Sequence, residues 1–193
     1  ESEYRAAINW ARTTGGVVVS DECYLEFGTN VTPSSILNFT DGDNKNILAV
    51  HSLSKRSNLA GYRGAFVAGD SKLIARLLEI RKHMGMMVPL PIQKAVTVAL
   101  SDESHVREQA TRYKNRRKVL SDALEPLGFT IEFSEAGLYI WCTRGEEDWS
   151  TVQWFAERGV LVTPGRFYGD KGARYVRIAL TASDAKIAEV VSR

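Results

Sequence analysis

Strand and helix signals alternate through the first half of the chain, and polar residues follow the strands. Apolar runs predict buried strands at residues 17–19 and 47–50, and a third strand is predicted over 62–68. Helical spacing before the first strand ends at Gly15-Gly16, and a second helix is predicted from an N-cap at Ser71. This alternation predicts an α/β domain, in which ligands bind beyond the carboxyl ends of the strands.

The second half of the chain carries shorter and more mixed elements. Pro89 and Pro91 mark a candidate boundary, and a long charged helix that stops at Gly128 follows them. The remaining predicted elements are strands over 129–133, 138–142, 160–163 and 174–180, a helix from a Ser150/Gln153 capping box, and a helix over 183–192. We therefore predict an α/β domain over residues 1–90, a helical connector over 91–128 and a small α+β domain over 129–193.

Composition and charge exclude several classes of partner. The 193 residues are 44% hydrophobic and 25% charged, with a net charge of +2, which is too mild to indicate nucleic acid or an anionic membrane. No apolar run reaches the ~18 residues of a membrane span. Cys23 and Cys142 lie far apart without metal-type spacing. We predict a cytoplasmic protein with reduced thiols and with no metal, membrane or nucleic-acid partner.

Two polar clusters follow the first two predicted strands. Asp21 and Tyr24 come directly after the first strand, where a carboxylate can face a cationic ligand nitrogen. The alternative is an ordinary acidic loop. Lys55 follows the second strand, and a desolvated lysine amine is nucleophilic at neutral pH, as Schiff-base chemistry requires. The alternative for Lys55 is a solvated surface position.

Further candidates are cationic. Arg63, between Gly61 and Gly64, could bind a phosphate together with the serine hydroxyls that precede Lys55. Arg177 lies inside an otherwise apolar predicted strand and needs an anionic partner. A ligand carboxylate is one candidate for that partner, and a structural salt bridge is the other.

Together these clusters resemble one family. The motifs that carry the resemblance are Asp21-x-x-Tyr24, Ser52-x-x-Lys55, Arg63 with its flanking glycines, and the late Arg177. The chain is similar to fold-type I, class I/II aminotransferases, which use pyridoxal 5′-phosphate, and residues 51–63 are similar to actinobacterial succinyldiaminopimelate aminotransferases. The resemblance implies an aspartate aminotransferase-like fold, with residues 1–90 as the C-terminal part of the large cofactor-binding domain.

The resemblance also implies a role for each residue. Lys55 would form the Schiff base with the cofactor and then move the proton, Asp21 would pair with the pyridine nitrogen, and Tyr24 would hydrogen-bond the ring oxygen. The phosphate would be bound by Ser52 and Arg63, with Ser54 as a further donor. Arg177 would bind the α-carboxylate of the amino acid through a two-bond fork.

The implied function is amino transfer between an amino acid and a 2-oxo acid, with succinyldiaminopimelate and glutamate in lysine biosynthesis as the implied pair. Homodimers are common in this family. A C–S lyase of the same fold is an alternative, although Tyr24 favours transamination, and a non-catalytic fragment is another. The family's phosphate-binding turn and ring-stacking aromatic lie upstream of the Asp-x-x-Tyr motif, so we expect a piece of a longer enzyme with little activity alone.

Overall fold

The computed structural model describes residues 1–192, which form two compact units. The first unit comprises residues 1–26 and 33–106, and the second comprises residues 27–32 and the chain from Arg107 onward. The helices are α1 (Ser2–Thr14), α2 (Leu53–Arg56), α3 (Ser71–His83), α4 (Leu90–Ser101), α5 (Ser104–Leu124), α6 (Asp148–Ala156) and α7 (Asp184–Val191). The strands are β1 (Val18–Asp21), β2 (Ile47–Ser52), β3 (Ala65–Gly69), β4 (Thr130–Glu132), β5 (Tyr139–Thr143), β6 (Thr163–Pro164) and β7 (Val176–Ala179). Among the described helices, none has the length and apolar character needed to cross a membrane.

The first unit is built on a three-stranded sheet in the order β1-β2-β3. Strand β1 pairs in parallel with β2, and β3 pairs with β2 in the antiparallel direction. The core forms where α1 packs on one face of this sheet, and its buried side chains are Ile8, Ala11, Ile36, Ile47 and Ala49. Apolar burial on that face stabilises the sheet.

Strand β1 corrects one sequence-based expectation. Its apolar run predicted burial on both faces, but its residues alternate, and Val19 is 57% exposed. The physical reason is that the α1 core covers one face of β1, where Val18 packs, while Val19 points to the other face of the sheet.

Helix ends follow local rules, with one correction in this unit. Gly15 ends α1 in the left-handed conformation, with φ 72°, and its N–H donates to the carbonyl of Ala11. Helix α3 is capped by Asp70 and not by the predicted Ser71, because the Asp70 carboxylate accepts from the N–H groups of Lys72 at 2.8 Å and Leu73 at 3.2 Å.

The second unit is built on an antiparallel sheet in the order β4-β5-β7-β6. One face of this sheet carries the buried side chains Ile140, Cys142, Val176 and Ile178, which pack with helices α5, α6 and α7. The alternation of a strand places Tyr139, Trp141 and Arg177 on the opposite face. The α/β-then-α+β pattern predicted from the sequence is confirmed, whereas the domain limits at residues 90 and 128 stay a prediction.

Helix α6 begins two residues earlier than predicted, and the Ser150/Gln153 capping box is wrong. The helix starts at Asp148, whose side chain is fully buried. The Asp148 carboxylate accepts from the Trp149 N–H at 2.9 Å, the Arg166 N–H at 3.0 Å and Arg166 Nε at 2.7 Å. It therefore ties the start of α6 to the loop that begins at Gly165.

Candidate active site

Backbone pairing brings both predicted polar clusters and Arg63 to one end of the first unit's sheet. Asp21 ends β1 and pairs with Val50 of β2. Ser52 ends β2 and pairs with Ala65, which starts β3 directly after the Arg63-Gly64 dipeptide. These strand ends are adjacent because β1 and β2 run in parallel while β3 runs the opposite way.

Lys55 lies on α2, the single helical turn that follows β2. Ser52 caps this turn, since its Oγ accepts the N–H of Ser54 at 3.1 Å. Lys55 is half-buried, and its Nζ makes no hydrogen bond or ion pair with another residue of the described chain. An amine placed this way is available to react with a ligand.

The turn that carries Lys55 is anchored by a buried arginine that sequence reasoning did not identify. Arg56 is 7% exposed, and its Nη1 donates to the carbonyl of Ala99 at 2.9 Å and to Ser57 Oγ at 3.1 Å. Its other nitrogen atoms form ion pairs with Glu26 and Glu103. A guanidinium has five N–H donors, so the Arg56 side chain alone can bind several parts of the chain at once and hold the turn in place.

Asp21 is an exposed carboxylate at the end of β1. The thiol and the backbone N–H of Cys23 hydrogen-bond to it and hold the pKa of Asp21 below its usual range. Burial and the neighbouring Asp21 raise the pKa of Cys23 to about 11, so this thiol stays neutral. Asp21 therefore remains anionic and can pair with a protonated ligand nitrogen. Tyr24 follows three residues later with its side chain exposed.

Arg63 adopts the left-handed conformation, with φ 54°, just before β3. Its Nη1 donates to the carbonyl of Ala60 at 2.9 Å, and the side chain is otherwise exposed. It lines a groove that also contains Arg81 of α3. A guanidinium has five N–H donors, so Arg63 retains donors for an anionic group such as a phosphate.

A second pair of polar residues supports the strand ends from the core face of the sheet. Glu22 is buried, and its Oε1 accepts the N–H of Ile36 at 2.8 Å. Its Oε2 lies 2.9 Å from Nε2 of His51, whose ring stacks on Phe66 at 4.8 Å. The alternation of β2 could have indicated this position, because His51 points to the same face as Ala49 while the next residue, Ser52, points to the other face.

Arg177 belongs to the second unit, in the middle of β7. Its Cζ lies 4.0 Å from the ring centroid of Tyr139 and 4.8 Å from that of Tyr168. Within residues 1–192, no carboxylate lies within salt-bridge distance of Arg177 and no hydrogen bond uses its side chain. The structural salt bridge considered from the sequence is therefore not present in the described chain.

The donor set of the first unit fits pyridoxal 5′-phosphate chemically. Lys55 offers an amine for an aldehyde, Asp21 offers an anion for a pyridinium nitrogen, and Arg63 with Ser52 and Ser54 offers donors for a phosphate. Within residues 1–192, no cluster of three or more His, Cys, Asp or Glu side chains could hold a metal ion.

The relatives that comparison with known proteins identifies are named as aminotransferases or transaminases. The chain is 52% identical over 98% of its length to a probable aminotransferase of Mycobacterium tuberculosis, and covers 46% of that protein. It is also 52% identical over 99% of its length to the 4-dedimethylamino-4-oxo-anhydrotetracycline transaminase of Streptomyces rimosus, and covers 54% of it. The chain thus spans about half the length of these curated relatives.

Solved structures show the same fold. A probable N-succinyldiaminopimelate aminotransferase from Thermus thermophilus superposes with a TM-score of 0.87 at 27% identity, over 99% of this chain and 52% of that one. The sequence profile of the family described as aminotransferase class I and II matches residues 1–193. That family is pyridoxal phosphate-dependent, and the aspartate aminotransferase-like fold inferred from the motifs is confirmed. The chain belongs to the class I and II aminotransferase family.

Proposed function

We propose that the protein acts as a pyridoxal phosphate-dependent aminotransferase, exchanging an amino group between an amino acid and a 2-oxo acid. The observation that carries this proposal is the meeting of Asp21, the Lys55 turn and Arg63 at one end of one sheet. An anion for the pyridine nitrogen, an amine for the aldehyde and a cation for the phosphate are three of the contacts that a protein makes with this cofactor.

Each residue has a separate chemical task. Bound pyridoxal phosphate supplies an electron sink for the bonds at the amino-acid α-carbon. Asp21 stays ionised because its pKa is lowered, and it would keep a proton on the pyridine nitrogen. Lys55 would hold the cofactor through its aldehyde group, and the Lys55 amine would carry the proton that leaves the substrate α-carbon. Tyr24 would donate its hydroxyl to the ring oxygen.

Binding residues complete the proposal. Arg63 contributes charged donors to the phosphate, and Ser52 and Ser54 contribute neutral ones. We assign Arg177 to the substrate α-carboxylate, because it is a half-buried guanidinium without an ion-pair partner in the described chain. A planar fork orients a carboxylate through two parallel hydrogen bonds, and this orients the C–H bond that must be broken.

For the substrate we propose the pair succinyldiaminopimelate and glutamate. The support is the motif similarity over residues 51–63 and the similarity to the Thermus thermophilus protein that carries this name. A relative with 52% identity is named instead for 4-dedimethylamino-4-oxo-anhydrotetracycline. Two parallel assays distinguish these substrates, both with glutamate as the amino donor. One acceptor is the oxo form of succinyldiaminopimelate and the other is 4-dedimethylamino-4-oxo-anhydrotetracycline. The proposal requires the larger kcat/KM for the oxo form of succinyldiaminopimelate.

The cofactor assignment is tested by trapping. The chain is incubated with pyridoxal phosphate and reduced with borohydride, and its peptides are then mapped by mass spectrometry. We expect the pyridoxyl group on Lys55, with Lys45 and Lys72 as unmodified internal controls. A protein that is yellow before reduction and that carries the pyridoxyl group on Lys55 afterwards supports the proposal. A colourless protein supports the non-catalytic alternative, and preferential labelling of Lys45 or Lys72 contradicts the assignment of Lys55.

The oligomeric state and the location of the enzyme are also proposals, and the first of them rests on the family resemblance. We propose a homodimer, which light scattering of the purified protein tests directly. We also propose a cytoplasmic location, because Cys23 and Cys142 are free thiols and Cys142 is buried. Cell fractionation with an antibody against the protein tests this location.

A further inference from the structure

The aromatic side chains around Arg177 share one face of the second unit's sheet. Arg177 pairs with Trp141 of β5 and with Thr163 of β6, so these side chains lie on the face opposite the apolar core. Tyr139 lies two residues before Trp141 and shares that face. One face of the sheet therefore packs into the apolar core, and the opposite face carries the Arg177 guanidinium among aromatic rings.

We propose that Tyr139 and Tyr168 are positioning residues, whose rings hold the Arg177 guanidinium in place and leave its N–H donors for a substrate carboxylate. This inference rests on the proposed function. At 4.0 Å and 4.8 Å, both ring centroids lie within the ≈ 6 Å range of cation–π attraction. A guanidinium that packs on a ring face keeps its N–H donors, because they lie in its own plane.

The placement of Tyr168 is fixed by its neighbours. Its ring makes an edge contact with Trp141 at 5.8 Å, and the other side of the cluster is a stack of Trp141 on Tyr175 at 5.3 Å. The Tyr175 hydroxyl donates to Oε2 of Glu132 at 2.8 Å. These contacts link Glu132 to the Arg177 guanidinium through three rings, so Tyr168 is held although it is 53% exposed.

The loop that presents Tyr168 is also constrained by its backbone. Gly165 and Gly172 approach so closely that a Cβ on Gly165 would lie 2.2 Å from the carbonyl oxygen of Gly172. Asp148 holds the next residue, because its carboxylate accepts the Arg166 N–H at 3.0 Å. The loop therefore has little freedom to move Tyr168 away from Arg177.

A structural role alone does not explain this arrangement. A guanidinium that served only the sheet would be expected to satisfy its donors with a carboxylate or with carbonyl groups, as Arg117 does with the carbonyls of Tyr139 and Gly137 at 2.7 Å and 2.6 Å. Arg177 instead packs against two rings, with no such partner among residues 1–192. Positioning for an external anion explains both the rings and the unused donors.

The test uses the 193-residue chain and the Nε–Hε NMR signal of Arg177, assigned by its loss in Arg177→Lys. Ring currents should shift this signal upfield. Tyr139→Leu and Tyr168→Leu should return it toward the position of an exposed arginine, whereas Tyr139→Phe and Tyr168→Phe should preserve the shift. Phe167→Leu is the matched control, because Phe167 is an exposed ring in the same loop that contacts Trp149.

Succinate is the probe for the carboxylate. Succinate is titrated into the protein while the Arg177 signal is monitored. The dissociation constant for succinate should rise ~2- to 30-fold in the leucine variants, which is the range expected for loss of a cation–π contact. In the phenylalanine variants it should return to the value of the parent chain. Leucine variants that leave either the signal or the succinate affinity unchanged would overturn the proposal, as would a parent chain that binds no succinate. Failure of the proposed function would show differently, as absence of the Lys55 label while succinate binding persists.

Discussion

Substitution of Asp148 by asparagine tests how the second unit holds the loop that presents Tyr168. The Asp148 carboxylate is fully buried and accepts from the backbone N–H groups of Trp149 and Arg166 and from the Arg166 guanidinium. An amide of the same shape has one acceptor oxygen, and its NH₂ group would face a donor. The substitution therefore leaves buried donors without an acceptor while hardly changing packing volume.

The expected loss follows from these contacts. Hydrogen bonds to a charged group contribute about 1.5–3 kcal/mol, and the Arg166 side chain is 41% exposed, so its own pairing adds little. We expect Asp148→Asn to lower the free energy of unfolding by about 2 kcal/mol. With a urea m-value of about 2 kcal/mol/M, the unfolding midpoint should fall by about 1 M. Glu147→Gln is the control, because Glu147 binds the same guanidinium from an exposed position and should change the midpoint little.

The effect of Asp148 should depend on pH in a defined direction. Hydrogen bonds from Arg166 hold the folded-state pKa of Asp148 below its value in the unfolded chain. The stability that it contributes is therefore complete at neutral pH and is lost as the pH falls below about 4. In urea titrations, the unfolding midpoints of the parent protein and of Asp148→Asn should differ at pH 7 and should lie closer together at pH 3. Equal midpoints at pH 7, or a difference that is as large at pH 3, would refute the role assigned to this carboxylate.

Three further substitutions test the site and the loop. Measured in a full-length enzyme that contains this chain, Asp21→Asn should lower turnover by about one to two decades, since a lost charge-assisted pair is worth roughly 1.5–3 kcal/mol, and unchanged turnover there would remove Asp21 from the mechanism. Arg177→Lys should raise KM for every amino donor because lysine lacks the planar fork, and a defect with a single donor would indicate side-chain recognition instead. Gly165→Ala should lower the free energy of unfolding, measured in urea, by about 1–3 kcal/mol, because its Cβ would meet the carbonyl oxygen of Gly172. Gly61→Ala is the control, since a Cβ at Gly61 meets open space and should leave the stability unchanged. Similar unfolding midpoints for the two variants would contradict the close approach of Gly165 and Gly172.

Much of the local structure could be read from residue spacing. The end of α1 at Gly15 and the stop of the 3₁₀ turn after α5 at Gly128 were predictable, because glycine adopts positive φ without a steric cost and both residues do so here. The positions of the polar clusters after β1 and β2 were predictable for a similar reason. A change from apolar to polar residues at the end of a strand is a local feature of the chain.

Helix starts were less predictable, because several residues can compete to cap the same turn. Asp70 caps α3 in place of the adjacent Ser71, and the same Asp70 carboxylate also accepts the N–H of Asn46, which is distant in sequence. Helix α6 likewise starts at Asp148 because Arg166 offers that carboxylate its donors. Neither partner is visible in the local spacing.

The contacts that define the candidate site depend on pairing between distant segments. Sequence position alone does not show that Ser52 pairs with Ala65, that Glu22 meets His51, or that Arg177 packs on two tyrosine rings. Periodicity determines which side chains share a face, because it follows from the backbone repeat of a strand. Strand register and the burial of the remaining surface determine which faces meet, and those depend on the packing of the whole unit.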